Sequence, residues 1–241
     1  MYIPKKFEVQ DLPRQVEIIH NYPLGTLFTA SPPSKGILDI WNNGLTDRPD
    51  SELCVTHVPF SFVPGTGGSC GKLVAHLAVQ NQQIEHLEKL SKCLVVFQSV
   101  DSYISPSWYP LKKKTHKHVP TWDFAAVHVY GTPRIIKGDK EWLIDLLNRL
   151  TDQEESKRPE GEQYEEKWKV SDAPESYIDA KLKGIVGLEI EITHIESKFK
   201  FDQDSAKIDV EGVIDNLEKE VGGEKGKEMA KLVKGCCPNK M

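Results

Sequence analysis

The sequence has no long hydrophobic run, and it has few cysteines. None of its apolar stretches approaches the roughly 18 residues that a transmembrane helix needs. Residues 1–7 lack the apolar core of a signal peptide. The five cysteines are an odd, scattered set rather than a disulfide framework. These absences predict a protein without a membrane anchor in the cytoplasm, with the nucleus as the alternative compartment.

The sequence also lacks a net positive charge. The net charge is −5, because residues 1–150 hold 16 Lys and Arg against 14 Asp and Glu, whereas residues 151–241 hold 15 against 22. Proteins that bind duplex DNA normally present a basic face, since neutralising phosphates releases counterions. Direct binding to nucleic acid is therefore not expected.

The one strongly basic run is Lys112–Lys117, which we interpret as a solvated loop tip. Trp108, Tyr109 and Trp122 flank this run and could stack a flat ring, so a phosphate-bearing ligand or an RNA contact stays open.

Signatures of covalent or metal chemistry are missing as well. The glycine-rich stretch before Lys72 lacks the spacing of a phosphate-binding loop, because Thr66 stands where the first glycine is required and Leu73 where Ser or Thr is. No serine lies in a nucleophile elbow. His116 and His118 have no Cys or acidic residue at zinc-ligand spacing, so no metal site is predicted.

Hydrophobic periodicity predicts an α+β fold, an antiparallel barrel with peripheral helices in a single domain, 1–241. Strands are predicted at 24–29, 54–62, 72–77, 95–97, 124–131 and 185–195, the last followed by a turn at Glu196-Ser197. Helices are predicted after Asp11, at 81–90, from Asp139 onward, and at 205–235 near the C-terminus. Residues 31–53 are predicted to be an inserted loop and residues 151–170 a linker.

The stretch Val95–Gly131 holds the main candidate site. A long loop rich in aromatic and hydroxyl side chains connects two predicted strands, and such loops are usually functional or disordered. We interpret it as the wall of a binding site, with Trp122 as a partly open side chain. His57, His76 and His128 all fall in predicted strands. A lone strand histidine is more often structural, but convergence of these three is a hypothesis.

Several motifs together resemble the PaiB-like family of FMN-binding negative transcriptional regulators, which are related to the pyridoxamine-phosphate-oxidase-like split barrels. They run in family order through nearly the whole chain: MYIPKKF (1–7), THVPF (56–60), HLAVQNQQ (76–83), VVFQ and YISPSWY within 95–109, VPTWDFAAVHVYG (119–131) and IVGLEIEITHIESKFK (185–200).

The resemblance implies a six-stranded split β-barrel, a homodimer with FMN near the dimer interface, and a role in transcription regulation. Backbone and hydroxyl donors would suit the flavin edges, aromatic side chains its ring, and lysines its phosphate. The implied FMN-binding residues are His57, His76, Ala78, Asn81, Ser105, Trp108, Thr121, Trp122, His128, Lys198 and Lys200.

Three positions depart from the family pattern. Val79 replaces an Arg, Asp123 replaces an Asn, and the C-terminal motif ends in the acidic Asp204. These changes remove charge that favours a phosphate group. Two alternatives to a flavin-binding regulator therefore stay open: a flavin-dependent oxidoreductase, and an enzyme that reuses the barrel cleft for another small-molecule substrate.

Overall fold

The computed structural model describes residues 1–30 and 53–238. The strands in these ranges are β1 (Leu24–Ala30), β2 (Leu53–Pro59), β3 (Ser61–Val63), β4 (Lys72–Ala78), β5 (Cys93–Gln98), β6 (Ser102–Ile104), β7 (Thr121–Ile136) and β8 (Ile185–Lys200). The helices are α1 (Leu12–Asn21), α2 (Gln83–Lys89), α3 (Lys112–Thr115), α4 (Lys140–Glu155), α5 (Glu175–Leu182), α6 (Lys207–Asn216) and α7 (Gly223–Cys236). None of these helices has a long enough apolar run to span a membrane.

The chain forms two compact units. The first unit comprises Met1–Tyr22, Phe97–His128 and Glu196–Met241, and the second comprises Pro23–Val96 and Val129–Ile195. The fold class is α+β, an antiparallel split barrel with peripheral helices, as predicted. A single domain spanning 1–241 stays a prediction.

In the second unit the strands follow the order β2-β1-β5-β7-β8-β4-β3. The sheet has one strand more than predicted at this place, because the predicted strand 54–62 forms two strands, β2 and β3. Phe60 interrupts it, since its backbone N–H donates to the Pro23 carbonyl and its side chain is fully buried. With β6, which pairs with β7, the described residues contain eight strands in place of six.

Helix α4 packs on this sheet through an apolar stripe that includes Leu143 and Leu146. Its predicted start is confirmed, because the Asp139 carboxylate accepts a hydrogen bond from the Trp142 backbone N–H at 3.0 Å. The Trp142 ring lies over Gly187 of β8, where an added Cβ would come within 2.2 Å of the indole. Glycine at 187 therefore allows the helix and the strand to approach closely.

The first unit packs α1, α6 and α7 around an apolar core that includes Phe199, Phe201 and Leu217. Asp11 caps α1 by accepting from the Arg14 backbone N–H, as predicted. The predicted C-terminal helices are α6 and α7, joined by a π-helical turn at Leu217–Val221.

Two of the predicted loop segments are wrong, and a third lies almost wholly outside the described residues. The predicted linker 151–170 begins inside α4, which continues to Glu155, and ends in a 3-10 turn at Val170–Asp172. The predicted loop between the central strands contains β6, a 3-10 turn and α3. The predicted inserted loop 31–53 lies outside the described residues except for Leu53, which belongs to β2.

The turn predicted at Glu196-Ser197 is also wrong, because β8 continues to Lys200. The N-terminal segment supports this extension of the strand. The Ser197 hydroxyl donates to the Val9 carbonyl oxygen at 2.5 Å, and Glu8 forms a bridge with Lys198.

Candidate functional site

The part of β7 in the first unit has one buried and one open side. Asp123 and Ala125 are buried, whereas Trp122 is exposed and Phe124 and His128 are half-buried. This is the alternation expected of a strand with one face on the core. The side chains of Trp122, Phe124 and His128 therefore point away from the core.

The end of β8 repeats the pattern. Buried Ser197 and Phe199 alternate with half-buried residues on the other side. Because β7 and β8 are neighbours in the sheet, the two rows form one surface. We call it the open face; it consists of Trp122, Phe124, His128, Glu196, Lys198 and Lys200.

Trp122 supplies the largest aromatic surface of the open face. It is 55% exposed, which confirms the prediction of a partly open side chain. Tyr103 of β6 lies opposite it in the strand register, and the two rings meet edge to face with centroids 6.1 Å apart. A flat ligand ring can stack on such a pair without displacing the core.

Lys200 is held by the protein itself. Its ammonium group donates to the Thr121 hydroxyl at 2.6 Å, to the Trp122 carbonyl oxygen at 2.7 Å and to the Asp123 carboxylate at 3.3 Å. An ammonium group has three N–H donors, so these contacts use all of them. Lys200 therefore connects the end of β8 to the start of β7 by hydrogen bonds, and the Thr121 hydroxyl is one of the acceptors.

Lys198 has a different environment. Its ammonium group lies 5.6 Å from the centroid of the Phe124 ring and 5.8 Å from that of Tyr2. Within residues 1–30 and 53–238, the structure gives Lys198 no carboxylate at ion-pair distance. A cation without an acidic partner beside exposed rings is suited to bind an anionic group.

His128 lies beside an acidic residue on the open face. Its Nδ1 is 3.6 Å from Glu196 Oε1, and the same carboxylate oxygen is 2.5 Å from the α-amino group of Met1. Burial lowers the pKa of His128, the charge of the α-amino group lowers it further, and Glu196 opposes both effects. The neutral imidazole is therefore favoured near pH 7.

Ser105 and Trp108 have structural contacts. The Ser105 hydroxyl accepts from the Ser107 backbone N–H at 3.2 Å and so caps the 3-10 turn Pro106–Trp108. Trp108 is only 6% exposed, and its indole N–H donates to the Glu220 carboxylate at 2.9 Å. Trp108 therefore anchors the loop, and its contact with a flavin stays a prediction.

The other four predicted residues lie in the second unit. His57 is exposed on β2, with Nδ1 3.1 Å from the Thr26 hydroxyl. His76 is half-buried on β4, where its Nδ1 has no hydrogen-bond partner among the described residues and burial lowers its pKa. Ala78 is the exposed last residue of β4. Asn81 donates to the Thr56 hydroxyl at 3.3 Å.

The structure therefore brings three predicted residues into direct contact, because Lys200 contacts Thr121 and Trp122. Two more, His128 and Lys198, lie on the same open face.

The convergence of the three histidines stays a hypothesis. His57 contacts Thr26 and His128 lies beside Glu196, whereas His76 Nδ1 has no hydrogen-bond partner among the described residues. Within the described ranges, no group of three or more His, Cys, Asp or Glu side chains is arranged to hold a metal ion.

Beside Asn81, the second unit has a cleft of about 560 Å³. Apolar side chains such as Ile84, Leu182 and Val186 line it, and Glu85, Lys137 and Lys183 add charge. Its volume is within the range of small-molecule sites.

Sequence reasoning missed Tyr103, Phe124 and Glu196. Phe124 was detectable, because it alternates with Trp122 on the same strand. Glu196 was assigned to a turn, and the pairing of Tyr103 with Trp122 depends on β6, which was not predicted.

The fold defines a split-barrel protein, and its open face combines an exposed tryptophan with a lysine that has no carboxylate partner among the described residues. The chain belongs to the protein family described as "Putative FMN-binding domain", whose sequence model matches residues 1–194. The resemblance to PaiB-like proteins is thereby confirmed.

Relatives match over most of their own lengths. An uncharacterized protein of Saccharomyces cerevisiae is 59% identical over 162 residues, which are 67% of this chain and 95% of the relative. The protease synthase and sporulation protein PAI 2 of Bacillus subtilis is 28% identical over 233 residues, 97% of this chain and 96% of the relative. Among solved structures, a conserved hypothetical protein of Mycobacterium tuberculosis superposes with a TM-score of 0.52 at 12% identity, covering 83% of this chain and 90% of that one.

Proposed function

We propose that the protein binds FMN on the open face and acts as a regulator. One observation carries the binding proposal: an exposed indole, Trp122 of β7, shares the open face with Lys198 of β8, a cation that has no carboxylate partner among the described residues. A flavin mononucleotide combines a flat ring with a phosphate group, so it matches both features. Membership in the family supports the same ligand.

Each residue has a role in this proposal. Trp122 and Tyr103 provide the surface against which the flavin ring packs, and Lys198 binds the phosphate. Lys200 fixes the backbone of Trp122 from below. When bound, FMN supplies reversible electron acceptance. His57, His76, Ala78 and Asn81 of the second unit stay proposed FMN-binding residues.

The regulatory role rests on the family resemblance and on the name of the Bacillus subtilis relative, which refers to protease synthesis and sporulation. The net charge of −5 argues against strong direct binding to DNA. We therefore expect regulation to act through the bound ligand and not through strong direct binding to DNA.

A homodimer is part of the proposal. In the second unit, β1 and β2 pair so that Leu24 lies opposite Pro59 and Phe28 opposite Val55. Leu24 is 63% and Val55 48% exposed. Neighbouring apolar side chains exposed on one sheet face are typical of interfaces, and a second copy of the chain would cover them.

Two alternatives each have an observation in their favour. A flavin-dependent oxidoreductase is favoured by His128, a neutral imidazole on the open face that can move a proton. An enzyme for another small-molecule substrate is favoured by the cleft beside Asn81.

Absorption spectroscopy and an FMN titration of the purified protein test the proposal. We expect flavin absorbance bands or saturable binding of added FMN, without steady turnover of NAD(P)H. Turnover would support the oxidoreductase, and failure to bind FMN at any concentration would leave only the enzyme that uses the cleft.

A further inference from the structure

Two buried carboxyl groups face each other beneath the open face. Asp123 of β7 is fully buried, and Asp202, just after β8, is 8% exposed. Their side chains lie within hydrogen-bonding reach of each other. The two Oδ1 atoms are occupied: that of Asp123 faces Lys200, and that of Asp202 accepts from the Tyr109 hydroxyl at 2.8 Å and from the Ser205 hydroxyl at 3.0 Å.

The two Oδ2 atoms, in contrast, have no hydrogen-bond donor among the described residues. Two ionised carboxylates cannot donate to each other, and their desolvated charges would repel. One proton between them resolves both problems, because the protonated oxygen donates to the ionised one.

Among the described residues, Lys200 is the cation that hydrogen-bonds to the pair, at 3.3 Å from the Asp123 carboxylate. Burial raises the pKa of Asp123 to about 8, the charge of Asp202 adds to this, and Lys200 opposes it. Burial also raises the pKa of Tyr109, and Asp202 reinforces this, so its phenol stays neutral. Three groups from the surrounding elements face the pair: Lys200 of β8, Tyr109 of the central loop and Cys236 of α7. Asp209 of α6 lies near Tyr109. The Cys236 thiol accepts a hydrogen bond from Arg14 of α1.

We propose that Asp123 and Asp202 share one proton between their Oδ2 atoms, and that this pair positions Lys200 and thereby the Trp122 edge of the open face. The family resemblance implies Asn at position 123, whose amide N–H can make the same hydrogen bond. In this chain the shared proton takes the place of that amide hydrogen. Asp123 and Asp202 are positioning residues, since neither is exposed to a ligand.

The pair makes stability depend on pH. A carboxyl group whose folded pKa lies above its unfolded pKa binds more protons in the folded state across the interval between them. Its contribution to stability is complete below about pH 4 and declines as the pH rises to about 8. Above about pH 8 both carboxyl groups are ionised. The charge of Asp123 then attracts Lys200 more strongly and repels Asp202, so the contacts of Lys200 with the Trp122 backbone change.

Asp123→Asn and Asp202→Asn test the shared proton in the flavin-free protein. Asn retains an acceptor for Lys200 or for Tyr109 and adds a permanent donor toward the other residue. Asp202 has a φ of 61°, which Asn tolerates well. Asp145→Asn, on an exposed position of α4, is the matched control because it removes the same charge from the surface.

Infrared spectroscopy and thermal melts between about pH 5 and pH 10 are the measurements. We expect a protonated-carboxyl band in the wild type and the control near neutral pH that disappears at high pH and is absent in both pair variants. We also expect the Tm of Asp123→Asn to fall less with rising pH than that of the wild type. A neutral-pH band that survives in both pair variants, or an unchanged pH profile of Tm, would overturn the proposal.

The consequence for ligand binding rests on the proposed function and is measured separately. FMN affinity should decline in the wild type between about pH 6 and pH 9 and stay flatter in Asp123→Asn. If neither protein binds FMN, the infrared and melting results still decide the shared proton.

Discussion

Lys200 donates to the carbonyl oxygen of Trp122 across 2.7 Å, so the lysine holds the backbone of the residue whose indole is exposed. Lys198, two positions earlier on the same strand face, lies beside the Phe124 ring instead. Two lysines on one strand thus have different neighbours. The proposal gives Lys200 a role in stability and Lys198 a role in ligand binding, and substitution distinguishes these roles.

Replacing each lysine by methionine should separate stability from binding. Lys198→Met should leave stability within about 0.5 kcal/mol and weaken FMN binding about tenfold or more, because a charge-assisted contact to phosphate is lost. Lys200→Met should lower the free energy of unfolding by about 1.5–3 kcal/mol, because Asp123 loses a partner. Denaturant unfolding and FMN titrations of both variants are the measurements.

The two variants are each other's control. Equal stability losses would show that Lys198 also holds the fold. Unchanged FMN affinity in Lys198→Met would remove the phosphate site from the open face.

The two tryptophans of the central stretch should also differ. Trp108→Ala should cost about 3–5 kcal/mol, because it empties a core position and leaves Glu220 without its donor. Trp122→Ala should cost about 1 kcal/mol or less and weaken FMN binding about tenfold or more, because the stacking surface is lost. Thermal melts beside ligand titrations distinguish the two outcomes. A strongly destabilised Trp122→Ala protein with normal affinity would make Trp122 a structural residue.

The exposed face of β1 and β2 should be required for dimerisation. Val55→Asp places a charge on that face and should convert the dimer to a monomer at micromolar concentration, measured by light scattering. Val119→Asp is the matched control, since Val119 is 76% exposed in a loop of the first unit. A wild-type protein that is already monomeric, or a Val55→Asp variant that remains dimeric, would exclude this face as the interface.

Direct DNA binding should be weak and should disappear at moderate salt. The net charge of −5 leaves few phosphates to be neutralised, so counterion release contributes little. Gel-shift assays across a salt series check this, with Lys112→Ala and Lys113→Ala reporting on the basic run. Tight binding with a steep salt dependence would contradict the expectation.

Local pattern was enough to predict most of the fold. The start of α4 at Asp139 and the alternation in β7 and β8 follow from neighbouring residues alone. The end of β8 was not predictable in this way, because Ser197 bonds to Val9, 188 positions away in sequence. Contacts of that kind depend on how the chain returns on itself.

The site shows the same division. Trp122 was predicted to be partly open, but nothing beside Trp108 in the sequence indicates that Trp108 is buried. The difference comes from Glu220, 112 positions beyond Trp108, which accepts its indole N–H. Asp123 was recognised as a departure from the family pattern, but its partner Asp202 belongs to a turn whose fold the sequence did not reveal.

The close packing of Trp142 on Gly187 should also constrain which residues homologues have at these two positions. A Cβ at 187 would lie 2.2 Å from the indole, so any larger residue there requires a smaller one at 142 or a displaced helix. The two positions should therefore covary among homologues: lineages that lose the glycine should have lost the tryptophan first. A larger residue at 187 alone should be selected against, because α4 cannot pack on β8 while Trp142 is still present.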